Sequence, residues 1–157
     1  MSFDSKKFLR ERFEPRTEEV PVPALAEYFG GDEAAVWTVR GLTGAEFARA
    51  QEAAKKAAAT ADIAAAMAAA AGSAEKVDSI LAAAGLPPDH KKQPEEMVRR
   101  LEILVTGSVA PAIDLPVAVQ FAKAFPIEFF DLTNRIVRLT GLGHVPGKPK
   151  PSGRDKT

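Results

Sequence analysis

The sequence predicts a mainly α-helical protein with one short two-stranded antiparallel β-ribbon near the N-terminus. Three observations lead to this prediction. Apolar residues recur at intervals of three and four along most of the chain, capping residues or prolines precede these segments, and glycines follow them. Two short runs rich in valine between residues 18 and 42 predict the ribbon. We expect five or six helices, the ribbon, and a disordered C-terminal tail.

The length and composition limit the architecture and the class of partner. The 157 residues fit one domain, which we place at 1–143, followed by a flexible basic tail rich in proline and glycine at 144–157. The chain has no cysteine, and its 21 basic and 21 acidic residues balance, which disfavours nucleic-acid binding through bulk charge. The alanine-rich segment 57–71 carries Asp62 and is too weakly hydrophobic for a membrane span. With no signal-peptide pattern at the N-terminus, we expect a soluble cytoplasmic protein.

The chain begins with a short helix and the ribbon. Asp4 is a suitable N-cap for a helix over 4–13, which Pro15 ends. The segment 18–23 alternates with period two but contains two prolines, so its backbone can pair along one edge only, and this predicts an edge strand. Its expected partner is the segment 35–42, and a helical turn that ends at a glycine pair connects the two.

A long alanine-rich helix follows the ribbon. Thr43 and Glu46 form a capping box, and the helix is predicted to continue to about Ala71. Alanine fills most of its second half, where Ile63 and Met67 are the only large apolar residues. Two interpretations stay open. In the first, which we favour, the small side chains pack closely on a neighbouring helix. In the second, Ile63 and Met67 belong to a surface that a partner subunit covers.

Three more helices are predicted before the last one, starting near Ser73, Pro94 and Asp114. Their expected inward-facing residues are Val77, Ile80, Leu81 and Ala84 in the first, Met97, Leu101, Leu104 and Val105 in the second, and Val117, Phe121 and Ala124 in the third.

The last helix begins at Pro126 and ends at Gly141 or Gly143. Its regular buried stripe is predicted to be Phe129, Leu132, Ile136 and Leu139. Phe130 and Val137 lie at the margin of this stripe. Either they widen the core stripe, or they form a second surface that another protein covers.

The sequence contains no pattern typical of a catalytic, cofactor-binding or metal site. His90 and His144 fall in predicted loops without a second ligand at metal-binding spacing. The glycines at 141–143 follow a helix, whereas a dinucleotide-binding loop follows a strand. We therefore expect no enzyme, no cofactor and no metal. Nine phenylalanines in a small helical fold favour a protein that binds other proteins.

Two segments resemble a known family. They are VPVPALAEYFGGDEAAVWTVRGLTGAEFARAQEAA at 20–54 and FPIEFFDLTNRIVRLTGLG at 125–143, the second followed by PGKPKPSG. Together with the length and the helices between them, they resemble the tail assembly chaperones of long-tailed (siphovirus-type) bacteriophages and related prophages. The resemblance extends over nearly the whole chain and rests on general patterns, not on catalytic signatures.

The resemblance implies a non-enzymatic, mainly α-helical factor in the host bacterial cytoplasm that is absent from the mature virion. Such chaperones bind the tape measure protein, keep its long helices soluble, and promote tail tube assembly by recruiting the tail tube protein. They self-associate into rings or spirals. Many have a longer form made by a programmed ribosomal frameshift. The implied partners are therefore proteins, including a longer form of the chain itself, with no nucleic acid and no membrane.

The end of the chain is compatible with such a frameshift. Pro146, Gly147 and Lys148 can be encoded as CCG GGA AAA, which contains the slippery run GGGAAAA, and the gene sequence decides this hypothesis. The alternative function is a structural tail-completion or head–tail connector protein of the virion. A small helical regulator of transcription ranks third, because the balanced charge disfavours DNA binding.

Overall fold

The computed structural model describes residues 2–31, 34–71 and 95–147, with the backbone alone for 60–71. These residues form helices and two small antiparallel sheets. The helices are α1 (Ser5–Arg10), a 3₁₀ helix (Pro23–Phe29), α2 (Gly44–Ala71), α3 (Glu95–Gly107), α4 (Leu115–Ala124) and α5 (Pro126–Gly141). The strands are β1 (Phe13–Glu14), β2 (Thr17–Pro21), β3 (Val36–Arg40), β4 (Ser108–Ala110) and β5 (Val145–Pro146). The predicted mainly α-helical class with its ribbon is confirmed.

The predicted ribbon is the pair formed by β2 and β3. The two strands are antiparallel, with Glu18 opposite Val39 and Val20 opposite Trp37. Strand β4, which the sequence did not predict, pairs with the other side of β3 and gives the order β2-β3-β4. Strand β2 therefore lies at the sheet edge, as predicted, and of the two prolines behind that prediction Pro21 ends the strand whereas Pro23 begins the 3₁₀ helix. Three residues are too few for a period-two pattern, which explains why β4 was missed.

The predicted helix starts are confirmed at three N-caps. The side chain of Asp4 accepts a hydrogen bond from the Lys7 amide, and that of Asp114 accepts one from the Val117 amide. In the capping box, the Thr43 amide donates to Glu46 Oε1 at 2.9 Å and the Glu46 amide donates to Thr43 Oγ1 at 3.2 Å. Helix α1 is shorter than predicted, because it ends at Arg10.

The core lies between the three-stranded sheet and the last three helices. Strand β3 contributes Trp37 and Val39, and α5 contributes the predicted stripe of Phe129, Leu132, Ile136 and Leu139. From α3 and α4 come Leu101, Ile103, Leu104, Ala118 and Phe121. Each of the larger side chains contributes roughly 1.5–3 kcal/mol through burial. This packing holds α5 in place along its whole length.

The predicted inward face of α4 is partly wrong. Val117 and Ala124 are exposed, whereas Ala118 is buried beside Phe121. The buried line continues to the half-buried Phe125, so the inner face is rotated by one residue from the predicted one. Val117 and Ala118 are both apolar, and only the position of the neighbouring core selects between them.

Small residues allow two close approaches between helices. Ala50, Ala54 and Ala57 of α2 are buried, and α2 packs on α3. This packing agrees with the favoured interpretation of the alanine-rich helix as far as residue 59. At the end of α3, a Cβ on Gly107 would lie 2.7 Å from Ile136 Cδ1, so only glycine fits there without a shift. The side chains of Ile63 and Met67 lie outside the described residues.

The N-terminal segment pairs with the chain beyond α5. Strand β1 places Phe13 opposite Pro146 of β5, and the Gly147 amide donates to the Arg12 carbonyl at 2.5 Å. The described fold thus extends beyond the domain boundary predicted at residue 143. A two-residue pairing between the two ends of the chain leaves no local pattern to recognise. The predicted helix near 73–84 with its apolar stripe, His90, and the tail from 148 onward lie outside the described residues.

Candidate interaction surface

One side of α5 is anchored to the edge strand β2 by ion pairs. Arg138 Nη2 lies 2.7 Å from Glu18 Oε2, and Arg135 Nη1 contacts Glu18 Oε1. Arg135 also pairs with Asp131 one turn earlier, at 3.0 Å. The hydrogen bond that Arg135 Nε donates to Asp131 Oδ2, more than the contact with Glu18, raises the pKa of the Arg135 guanidinium and keeps it charged. These contacts position α5 against the sheet.

The other side of α5 is anchored to α3 through one arginine. Arg100 Nη1 donates to Thr133 Oγ1 at 2.7 Å and to Asn134 Oδ1 at 2.9 Å, and its Nε lies 3.0 Å from Glu96 Oε1. The guanidinium carbon lies 4.9 Å from the centroid of the Phe130 ring, a cation–π distance. Arg100 therefore supports the Phe130 ring from one side.

Between these two anchored sides, α5 presents an apolar line. Ile127 is 80% exposed, Phe130 40% and Val137 41%. With Asn134, which is also exposed, they follow the three-and-four spacing of a helix face over about 15 Å. We call Ile127, Phe130, Asn134 and Val137 the α5 stripe. Its spacing is that of the contact seam between two packed helices.

The α5 stripe includes both residues that the sequence singled out on this helix. Phe130 and Val137 lie at the margin of the buried face, as expected, and remain partly open to solvent. Sequence reasoning missed Ile127, although its position three residues before Phe130 was a usable signal. It also missed Arg100, because a contact between helices 30 residues apart has no local pattern. Ile63 and Met67, the other two candidate interaction residues, have side chains outside the described residues.

Ion pairs account for the shifted pKa values of Arg40, Glu46, Glu96 and Arg135. Across residues 2–31, 34–71 and 95–147, no three histidine, aspartate or glutamate side chains gather as metal ligands. The strongest perturbation is at Glu46, where the hydrogen bonds from Arg40, at 2.8 and 2.6 Å, lower the carboxyl pKa to about 2. This pair lies at the start of α2 and stabilises the helix terminus. No helix in the described ranges has the length and apolar character to cross a bilayer.

Comparisons of the chain with protein-family models, with curated protein sequences and with solved structures gave no match. The functional interpretation of the α5 stripe therefore depends on the residues themselves.

Proposed function

We propose that this protein is a phage tail assembly chaperone that binds helices of the tape measure protein, without catalysis, in the cytoplasm of the host bacterium. The observation that supports this proposal is the α5 stripe, a partly open apolar line on a helix anchored on both flanks. The resemblance of the segments 20–54 and 125–143 to that family favours the same function.

A helix of the client is the kind of partner that fits the stripe. Two helices pack when apolar residues at intervals of three and four on one meet the same pattern on the other. Asn134 lies within the line and uses its Oδ1 for Arg100, so its amide N–H groups can donate to a polar residue of the partner. One such residue in a helical seam selects register.

The strength of a single contact is limited by the exposed area. Covering Ile127, Phe130 and Val137 completely, from their exposed fractions of 80%, 40% and 41%, contributes about 2.5–5 kcal/mol. About 4 kcal/mol corresponds to a millimolar dissociation constant, before the cost of association is subtracted. Tight binding therefore requires several copies on one long client, which self-association of the chaperone provides through avidity.

The proposal is tested by placing a charge on the stripe. We expect Phe130→Asp and Ile127→Asp to stay helical by circular dichroism and to reduce co-purification with the tape measure protein of the same phage at least tenfold. Tyr28→Asp, at an aromatic residue that is 69% exposed on the 3₁₀ helix, is the matched control and should bind like the wild type.

One result would narrow the test, and another would refute the proposal. Unfolding of Phe130→Asp would show that Phe130 is a core residue, and Ile127→Asp, at a more exposed position, then carries the binding test alone. Wild-type binding by a folded Ile127→Asp would refute the role of the stripe. Mass spectrometry of purified virions distinguishes the alternative, since a chaperone should be missing and a tail-completion or connector protein present.

A further inference from the structure

The N-terminal arm, residues 2–14 with α1 and β1, carries apolar side chains that the rest of the described chain leaves uncovered. The Phe8 ring contacts the rings of Phe3 and Phe13, with centroids 5.3 and 5.1 Å apart. Phe3 is 73% exposed, Phe8 50% and Phe13 41%. Leu9 is 83% exposed, and α1 has no buried residue. We call Phe3, Phe8, Leu9 and Phe13 the arm cluster.

The arm is attached to the rest of the fold at its base. Strand β1 places Phe13 opposite Pro146 of β5. Two residues after β1, Arg16 Nε donates to the Gly143 carbonyl at 3.2 Å. These contacts hold the base of the arm in place, whereas every residue of α1 faces solvent. Contiguous apolar surface of this kind on a folded protein marks a contact site.

The basic residues of α1 lie on the side opposite the arm cluster. Each residue of an α-helix is turned by about 100° from the one before it, so Phe8 and Leu9 point to one side of α1. The midpoint of Lys6, Lys7 and Arg10 lies roughly 160° away from them. All three basic side chains are exposed, and none forms an ion pair within the part of the chain that the structure describes. Helix α1 itself contains no acidic residue.

The acidic residues of the arm lie outside α1. Asp4 is the N-cap, where its side chain accepts a hydrogen bond from the Lys7 amide. Glu11 follows the last turn of α1 and is half-buried. The Glu14 carboxylate lies at the base, where its Oε1 is 3.0 Å from the position of a Cβ on Gly147. The positive charge of the arm is therefore concentrated on α1, on the side away from the rings.

A partner that covers both sides of α1 has to surround this helix. A flat protein surface or a nucleic-acid strand contacts one side of a helix and would leave either the apolar or the basic side in water. A helix in the interface of a bilayer buries its apolar side about 5–10 Å deep and keeps its basic side at the level of the headgroups. Lysine and arginine side chains are long enough to reach lipid phosphates from there. A bilayer with anionic lipids therefore matches both sides.

We propose that the arm attaches this protein to the surface of a membrane that contains anionic lipids. The arm cluster enters the boundary of the acyl chains, and Lys6, Lys7 and Arg10 lie among the headgroups. Each basic residue near an anionic surface strengthens binding about fivefold, so three strengthen it roughly a hundredfold. Stable attachment needs two such contributions, and the apolar side chains supply the other. The resemblance to tail assembly chaperones does not imply this attachment, which rests on the arm residues alone and does not involve the α5 stripe.

Sedimentation with lipid vesicles tests the attachment. We expect the full chain to co-sediment with phosphatidylcholine vesicles that contain about one third phosphatidylglycerol, and to bind vesicles of phosphatidylcholine alone at least tenfold more weakly. High salt should remove most of this difference, because it screens exposed charges. Equal binding to both kinds of vesicle would overturn the proposal. So would a chain that stays in the supernatant with both.

A matched pair of variants assigns the binding to the arm cluster. Leu9→Asp adds a charge at the most exposed position of the arm cluster, and Ile127→Asp adds one at an equally exposed position of the α5 stripe. We expect Leu9→Asp to weaken binding to the anionic vesicles at least tenfold and Ile127→Asp to bind like the wild type. Undiminished binding by Leu9→Asp would refute the role of the arm cluster.

The basic side is tested with two variants that lose the same charge. One variant has glutamine in place of the three basic residues of α1, which are Lys6, Lys7 and Arg10. The control has glutamine at three exposed basic positions of α2 and α4, which are Arg49, Lys55 and Lys123. We expect the first variant to bind the anionic vesicles at least tenfold more weakly than the control. Equal binding would show that the net charge, and not α1, determines the attachment.

A fluorescent label locates the contact without changing the arm cluster. The chain has no cysteine, so Ser5→Cys in α1 and Tyr28→Cys in the 3₁₀ helix each provide a single labelling site. We expect the emission of an environment-sensitive dye at residue 5 to shift to the blue on the anionic vesicles, and that of the dye at residue 28 to stay unchanged. The same shift at both sites would contradict attachment through the arm.

Discussion

The ion pair at the start of α2 leads to a prediction about stability and pH. Glu46 accepts two hydrogen bonds from the Arg40 guanidinium and one from the Thr43 amide. Glutamine keeps the shape and the capping acceptor but removes the charge. Glu46→Gln therefore isolates the contribution of the carboxylate, and Glu52→Gln, at an exposed glutamate of the same helix, is the matched control.

The expected loss follows from the pKa of Glu46. Its decrease from 4.5 to about 2, caused first by the Arg40 hydrogen bonds and opposed by desolvation, corresponds to at most about 3.4 kcal/mol. The Glu46 and Arg40 side chains remain 16% and 24% exposed, so screening reduces the value. We expect Glu46→Gln to lower the free energy of unfolding by about 1–2 kcal/mol at pH 7.

The sign of the pH dependence follows from the direction of the change. The folded state favours the ionised carboxylate, so the stabilisation is complete above the ordinary pKa of 4.5 and is lost as the pH falls towards about 2. Urea unfolding of wild type and Glu46→Gln should therefore show a stability difference at pH 3 that is less than half of the difference at pH 7.

A stability difference that stays constant between pH 7 and pH 3 would refute this reasoning, because the loss would then come from capping geometry or packing and not from charge. A loss at pH 7 as small as that of Glu52→Gln would show that solvent screens the pair completely.

Two further predictions concern the core. Gly107→Ala should lower the free energy of unfolding by about 1–3 kcal/mol, because the added Cβ would overlap the Ile136 side chain. This loss is expected although alanine is a better helix former than glycine by about 1 kcal/mol. Unchanged or higher stability in urea unfolding would show that Ile136 adjusts freely. Ser108→Ala should cost about 1–3 kcal/mol, because it leaves the buried Trp37 indole N–H, now 3.1 Å from Ser108 Oγ, without an acceptor. Trp37 is the only tryptophan, so its fluorescence reports unfolding and any local change directly.

Local signals in the sequence predicted the elements whose ends depend on neighbouring residues. The caps at Asp4, Thr43 and Asp114 act within three residues along the chain, and all three make the expected hydrogen bonds. The edge position of β2 also followed from its own Pro21, which has no amide N–H to donate to a second neighbouring strand. The buried face of α5 was predictable because large apolar residues recur along it at regular helical spacing.

The sequence predictions failed where two neighbouring residues fitted a buried face equally well, or where a strand pairs with a segment that is distant in the sequence. Val117 and Ala118 fit an inner face equally well, and the position of the core selected Ala118. The pairing of β4 with β3, and of β1 with β5, joins segments that lie far apart in the sequence. For the candidate surface, Phe130 and Val137 were found from spacing, whereas the role of Arg100 required the α3–α5 contact.

The sequence by itself determined that the chain forms mostly helices with one ribbon, and where most of these elements begin, because those choices depend on hydrogen bonds and side-chain periodicity within a few residues. Only the tertiary structure decided which apolar residues remain uncovered. Exposure depends on what packs across from each residue. Phe129 and Phe130 are neighbours in the chain, and only the packing of α3, α5 and the sheet buries the first and leaves the second partly exposed.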